Sequence, residues 1–344
     1  MVFRRVQYPG IGITLSVAAD GTGDYQNIQD AINALPASGG TVVLREGTYI
    51  INSPIIINKN NVILVGNGKS TKIQTFSGYL GNLSAPISCK GMIQAISQSG
   101  IVIKNIYFYG SGFQTIPGLS TAAIYFEKVT HSEIRNCYFE NCGGAVIYLR
   151  TNCDNNTIES NICTNNKMFG IGIVDNCNSN VVRGNIIIGA TDTSYGHGIL
   201  LTTSGNLNVI ANNICNSNSM HGIYLSTSKD NILTGNECKS NIRHGIFLDN
   251  NASNNIITGN IVVSNSVGTS NYDGIRIANS TEFGTTDYNV VTSNRCRDNG
   301  GYEINISNAS CIKNLVVGNI CIGTHIGAIN DSGTDDLVDN NITE

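Results

Sequence analysis

The stretch "HGIYLSTSKDNILTGNECKSN", residues 221–241, decides the fold. Ile223 and Leu225 point one way and Tyr224 and Ser226 the other, the alternation of a short strand. A second short apolar run, "NILTGN", follows after a polar turn. The pattern then starts again with "NIRHGIFLDN" at 241–250, and "TSYGHGILLT" precedes it at 193–202. Three of the chain's five histidines, His197, His221 and His244, therefore fall in one column of a repeat.

Aligning Asn followed by an apolar or small residue gives Asn105, Asn136, Asn161, Asn185, Asn213, Asn236, Asn260, Asn294, Asn319 and Asn341, a coil of about 24 residues with insertions at three places. A fixed period of this size marks a solenoid or an array. Coils this short cannot bury a face alone, so they must stack, each strand pairing in parallel with its copy about 4.8 Å away. About a dozen coils make a rod on the order of 55 Å long. Asn at one place in each coil suits a turn, because it tolerates left-handed φ and its amide can bond to the Asn above and below. The predicted fold is all-β: a single-stranded right-handed parallel β-helix with an Asn ladder, one domain over 1–344.

Composition agrees. Only 13% of residues are charged, Trp is absent, and there are 38 Gly against 5 Pro. A net charge of −4 offers no broad positive surface to neutralise a phosphate backbone, so nucleic acid is not expected as a partner. No apolar run reaches the length of a membrane span, and residues 1–21 lack the core and cleavage site of a signal peptide. The 11 cysteines form no CxxC pair. Cys163, Cys215, Cys238, Cys296 and Cys321 lie two residues after a repeat Asn, where other coils carry Ile187 or Val262, and are expected to be stacked interior thiols. Cys153, Cys177 and Cys311 form a second column.

The first 50 residues differ from the coils of 51–344. In "DYQNIQDAINALPASGG", Ile28, Ala31, Ile32 and Leu35 have helical spacing before a Pro and Gly stop, which predicts a short helix near 26–35 capping the first coil. No such cap follows Asn341, so that end is expected to be truncated or covered by a partner.

"ADGTGDYQNIQDAINALPASGGTVVLREGTYII" at 19–51 and "NNVILVGNGKSTKI" at 60–73 resemble the opening of the pectate-lyase-like superfamily of polysaccharide lyases, uronate epimerases, glycoside hydrolases and tailspikes. The coil "RHGIFLDNNASNNIITGN" at 243–260 is similar to the Arg-His-Gly-aromatic coil of mannuronan C5-epimerases. That resemblance puts Arg243 and His244 on the family's catalytic pair. In "SYGHGILL" at 194–201, Tyr195-Gly196 matches the family's Tyr-Gly, but the Asp and Pro that follow in the family are absent, and His221 stands where the family has Asp.

The resemblance implies an acidic polysaccharide lying along an outer sheet. Outward positions read Tyr148, Leu200, Tyr224, Phe247 and Arg276, with Arg150, Thr202, Ser226 and Asp249 two residues on. Aromatic faces suit sugar CH surfaces and Arg suits a carboxylate. The expected reaction is removal of the C5 proton of a uronate, leading to epimerisation or β-elimination. Arg243 neutralises the carboxylate, His244 is the base, Tyr195 is the opposing acid or the donor to the leaving oxygen, and His221 and His197 flank the base so that one imidazole at least stays neutral. Asp273, one coil on, is a further candidate for substrate contact. No cofactor and no metal are expected, since three His in a file cannot converge on one ion.

A glycoside hydrolase would need two carboxylates at a suitable separation, and near the histidine column the candidates are Asp249 and Asp273. The competing class is a glycan-holding tailspike or adhesin module without catalysis. The expected location is extracellular or virion-associated, and the expected state a monomer, or a homotrimer on the tailspike reading.

Overall fold

At each corner of a stacked coil the chain turns with its main-chain N–H groups buried, and those groups need acceptors in a neighbouring coil. The computed structural model, which describes residues 12–75, 89–110, 120–266, 271–280, 284–323 and 325–344, answers with asparagine. Asn236 shows the arrangement. Its Oδ1 accepts from both the main-chain N–H and Nδ2 of Asn213, each at 3.0 Å. Its own Nδ2 donates to Oδ1 of Asn260 at 3.0 Å and to the carbonyl of Ile210 at 2.8 Å. The same bonds run from Asn161 through Asn185 and Asn213 to Asn341.

The protein is a parallel β-helix of about 12 turns. Among the described residues an 11-stranded sheet runs from Ile55–Ile57 to Gly327–Asp331, and a 23-stranded sheet forms the other walls. Inward residues make one continuous core along the rod. Cys163, Ile187, Cys215, Cys238, Val262, Cys296 and Cys321 share one interior column by register, fully buried apart from a trace of exposure at Ile187. Their thiols and those of Cys153, Cys177 and Cys311 are free. Burial in the core pushes the Cys137 thiol up to about 12.

Two details of the sequence alignment change. The left-handed residue is the one before each ladder Asn, such as Ser160, Asn212 or Ser293, with φ near +55°. Asn105 and Asn136 are themselves left-handed, so they occupy that preceding position, and Cys137 stands where the ladder Asn would be, its N–H donating to Asn161. There are also two further ladders, five residues to either side. One runs from Asn156 through Asn180 and Asn208 to Asn314, and the other from Asn218 through Asn241 and Asn265 to Asn299.

At the N-terminal side a helix spans Ile28–Ala34, capped by Asn27, whose side chain accepts from the N–H groups of Gln29 and Asp30. Ile28, Ala31 and Ile32 are buried against the first strands. Residues 1–11 of the expected cap region lie outside the described residues. Among the described residues no helix is long and apolar enough to cross a membrane.

Asn236→Ala would leave the buried main-chain N–H of Asn213 without an acceptor and would remove one bond each from Nδ2 of Asn213, Oδ1 of Asn260 and the carbonyl of Ile210. We expect a loss of about 3 kcal/mol, read as a lower denaturant midpoint at unchanged slope.

Candidate active site

His197, His221 and His244 each stand one residue before a Gly that opens a strand of the 11-stranded sheet. The glycines hold the chain tight to the core: a Cβ at Gly222 would lie 2.6 Å from the carbonyl oxygen of Gly245. Register then stacks the three imidazoles in single file. Ring centroids are 5.3 Å apart for His197 and His221 and 5.2 Å for His221 and His244, with interplanar angles of 15° and 7°.

The file is not open to solvent as the sequence suggested. The rings are only 3–4% exposed. Tyr224 stacks on His197 at 5.2 Å, Phe247 covers His221 and His244 at 5.0 and 4.9 Å, and Tyr272 meets His244 edge-on at 4.9 Å. Burial is the main reason all three imidazoles titrate below their usual range, with Arg243 adding repulsion. His197 is pushed down to about 3.

Hydrogen bonds fix two of the tautomers. The main-chain N–H of His244 donates to Nδ1 of His221 at 3.1 Å, and that of Asp273 donates to Nδ1 of His244 at 2.7 Å. A neutral ring whose Nδ1 accepts must carry its proton on Nε2. His221 and His244 are thus built as Nε2–H donors, which corrects the expectation of His244 as the resting base. Nδ1 of His197 is buried and has no hydrogen-bond partner.

Asp273 ends the file. It is 1% exposed and accepts from the N–H of Tyr302 at 2.8 Å, Nδ2 of Asn305 at 3.0 Å and Nη1 of Arg276 at 3.1 Å. Burial raises its carboxyl above the usual range against those bonds. Asp249, 4% exposed, accepts from the N–H groups of Asn250 and Ser280, each at 2.9 Å. Both acids are therefore structural at rest, which removes them as exposed sugar contacts and as a hydrolase pair.

Tyr148 is also buried, wedged between Tyr125 and Phe169. Arg150, partly exposed, is paired with Asp175 at 3.1 Å.

The accessible residues form a rim over the file. Tyr195 is 56% exposed, in a turn held by Oδ1 of Asp192. Tyr224 and Phe247 are half-buried and stack with centroids 5.2 Å apart at 17°. Register continues their column to Arg276, and Arg243 lies over the ring of Tyr272 at 5.5 Å. Sequence reading missed Tyr272. It precedes Asp273 as Arg243 precedes His244, and extending the column by one residue would have found it.

The profile of the NosD family, described as periplasmic copper-binding protein, matches residues 92–279 and, overlapping, 193–344. The chain belongs to this family. A pectinesterase profile matches residues 14–116, upstream of the histidine file. Among curated proteins, Pectinesterase 1 of Solanum lycopersicum is 31% identical over 93 residues, 26% of this chain and 17% of that protein. A pectinesterase of Daucus carota is 34% identical over 64 residues, 18% of this chain and 20% of that protein. The chain thus spans about a fifth of the length of these relatives.

Among solved structures, the mannuronan C-5 epimerase AlgE6 A-module of Azotobacter vinelandii superposes with a TM-score of 0.68 at 18% identity, covering 92% of this chain and 94% of that one. An exopolygalacturonase of Thermotoga maritima gives 0.66 at 14%, covering 91% and 86%. The Dettilon tailspike protein gives 0.64 at 16%, covering 89% and 64%. At these identities the likeness shows the fold alone, a parallel β-helix.

The histidine file does not fit the copper in the family's description. Ligand nitrogens must converge on one ion, whereas these rings present faces to one another, and two of the three Nδ1 lone pairs are held by main-chain N–H groups. Among the described residues no group of three or more His, Cys, Asp or Glu could hold a metal.

The buried imidazoles make stability depend on pH. A His held below its unfolded value of 6.5 stays neutral in the fold while the unfolded chain takes up a proton, so stability present above that value is lost as pH falls toward about 3. Glu303, pushed up to about 7 by burial, acts in the opposite sense. Comparing melting temperature against pH for the wild type and His197→Phe isolates the histidine: the variant is expected to lose less stability across that window.

Proposed function

We propose that the protein is a carbohydrate-active enzyme that lays a uronate-containing polysaccharide along the outer face of the 11-stranded sheet and acts by abstraction of the C5 proton. The observation that carries this reading is the Tyr224–Phe247 platform beside Arg243 and Arg276, directly over a file of neutral imidazoles. Stacked aromatic rings take sugar CH faces. Two guanidinium groups next to them match a uronate carboxylate.

Proton loss at C5 needs the carboxylate charge offset as the carbanion forms. Arg243 supplies that, and Nε2–H of His244 and His221 would add donors fixed in advance by the main chain. Tyr195, exposed at the rim, is the acid or base nearest solvent, and His197, whose Nδ1 has no partner, is the imidazole free to accept a proton. Its low proton affinity at rest would rise as a carboxylate bound nearby. The pectinesterase relatives support polyuronate as the substrate class, and the epimerase fold supports C5 chemistry.

One observation favours a second reading. Imidazoles this deeply covered suit a rod that holds glycan without changing it, and the tailspike likeness agrees with that.

Incubation with alginate, glucuronan and pectate in deuterated water separates these readings by NMR. We expect deuterium at C5, with chains intact for an epimerase and unsaturated ends for a lyase. Tyr195→Phe and Arg243→Ala are each expected to lower kcat/KM by about 10²-fold. Binding without exchange supports the holding module, and neither binding nor exchange on any polyuronate discards both.

A further inference from the structure

A second face of the rod carries an apolar stretch of seven successive parallel strands, from Val181–Arg183 to Leu337–Asp339, beyond which the same stack continues through Thr157–Glu159 and Glu133–Arg135 with polar outward residues. Each strand is three residues long, with its middle residue in the interior and two residues pointing out. The first outward column is Val, Ile or Leu in all seven strands, and it is poorly covered: Ile232, Ile256 and Leu337 are 38%, 40% and 56% exposed. The second outward column is Ala, Thr or Val except at its two ends. Those ends are Arg183 and Asp339, the sole charged residues among the outward positions of these seven strands; the next strand sets Glu159 beside Arg183.

Their placement is symmetric. Ile256 lies in the central strand, with Arg183 three strands to one side and Asp339 three to the other, both in the same column. A two-fold axis lying in the face and crossing the rod at Ile256 therefore maps these seven strands onto themselves with every position matched. Ile256 meets its own copy, Ile232 meets Val290, Val181 meets Leu337, and the cation at one end meets the anion at the other. Arg183 is bonded to Glu159 but remains 58% exposed, so its guanidinium has donors left for a carboxylate.

The neighbouring face fails this test. There Lys239 and Arg297 lie one strand to either side of Val263 and would be set against each other by the same operation.

We propose that this face is a docking surface for a second copy of the chain, forming an antiparallel two-fold dimer centred on Ile256. It is flat, apolar and self-complementary, as a two-fold interface requires. Seven coils span about 35 Å, and the face with its corners is about 15 Å wide, on the order of 500 Å² per protomer. That is at the low end for specific association, so a reversible dimer is expected. The histidine rim lies on a different sheet and stays open in it. This differs from the monomer expected from sequence.

Sedimentation velocity of the whole chain across micromolar concentrations should show a monomer–dimer equilibrium. Ile256→Asp, which opposes two carboxylates on the axis, should raise the dissociation constant at least about tenfold, with circular dichroism unchanged because the site is on the surface. A short bismaleimide reports the register, with wild type as baseline. I256C should cross-link to itself, I232C should not, and a mixture of I232C with V290C should. A monomer at every concentration overturns the proposal. So does self-linking of I232C equal to that of I256C, which marks copies running parallel.

Discussion

The structure depends on one constraint: a buried main-chain N–H at each corner must find an acceptor in an adjacent coil. Asparagine meets it repeatedly because its side chain both accepts and donates, so each coil satisfies the one before and is satisfied by the one after. Where a ladder stops, only an acceptor is needed, and in the two flanking ladders an acid takes the place of the amide. Glu303 receives the N–H and Nδ2 of Asn299, and Asp336 does the same for Asn314. The cost of ending on an acid is visible at Glu303, where burial outweighs two hydrogen bonds and holds the carboxyl near 7.

The histidine file is a variant of the same solution with the direction reversed. In the asparagine ladder the N–H of an earlier coil reaches the side chain of a later one, whereas His221 and His244 accept from the N–H of the coil that follows. An imidazole used in this way has its tautomer chosen by the backbone. Structure and chemistry are therefore coupled: the bonds that stack the coils also decide which ring nitrogen carries a proton. His197 is released from this rule, since Nδ1 there has no partner. The turn carrying Asp192 lies near it, and the same turn holds the exposed Tyr195 two residues before His197.

Periodicity made most of the fold legible. The interior cysteine column, the Asn161 to Asn341 ladder and the capping helix were all readable because each follows from spacing alone. The slip at Asn105 and Asn136 has a physical cause: Asn suits both the ladder position and the left-handed residue before it, and a pattern of residue types cannot tell these apart. For the site, register placed the three histidines in one file, but depth was not legible. Whether an imidazole between strands is bare or covered depends on where neighbouring rings swing. Tyr224, Phe247 and Tyr272 swing over it. Asp249 and Asp273 were misjudged for the same reason, since their bonds are to main-chain N–H groups that no motif records.

A solenoid separates fold from chemistry unusually cleanly. Any outward position can change type while the stacked coils stay in register, because the register is held by inward residues and ladders. This is why an epimerase module at only 18% identity superposes over 92% of the chain. After Tyr195-Gly196, the Asp and Pro of the epimerase pattern are absent, and His221 stands where that pattern has an Asp. The second change exchanges an anion for a neutral ring. On the proposed function, a substrate carboxylate arriving at Arg243 then meets a hydrogen-bond donor there instead of a competing acid, and the proton acceptor is the group that has to be supplied anew.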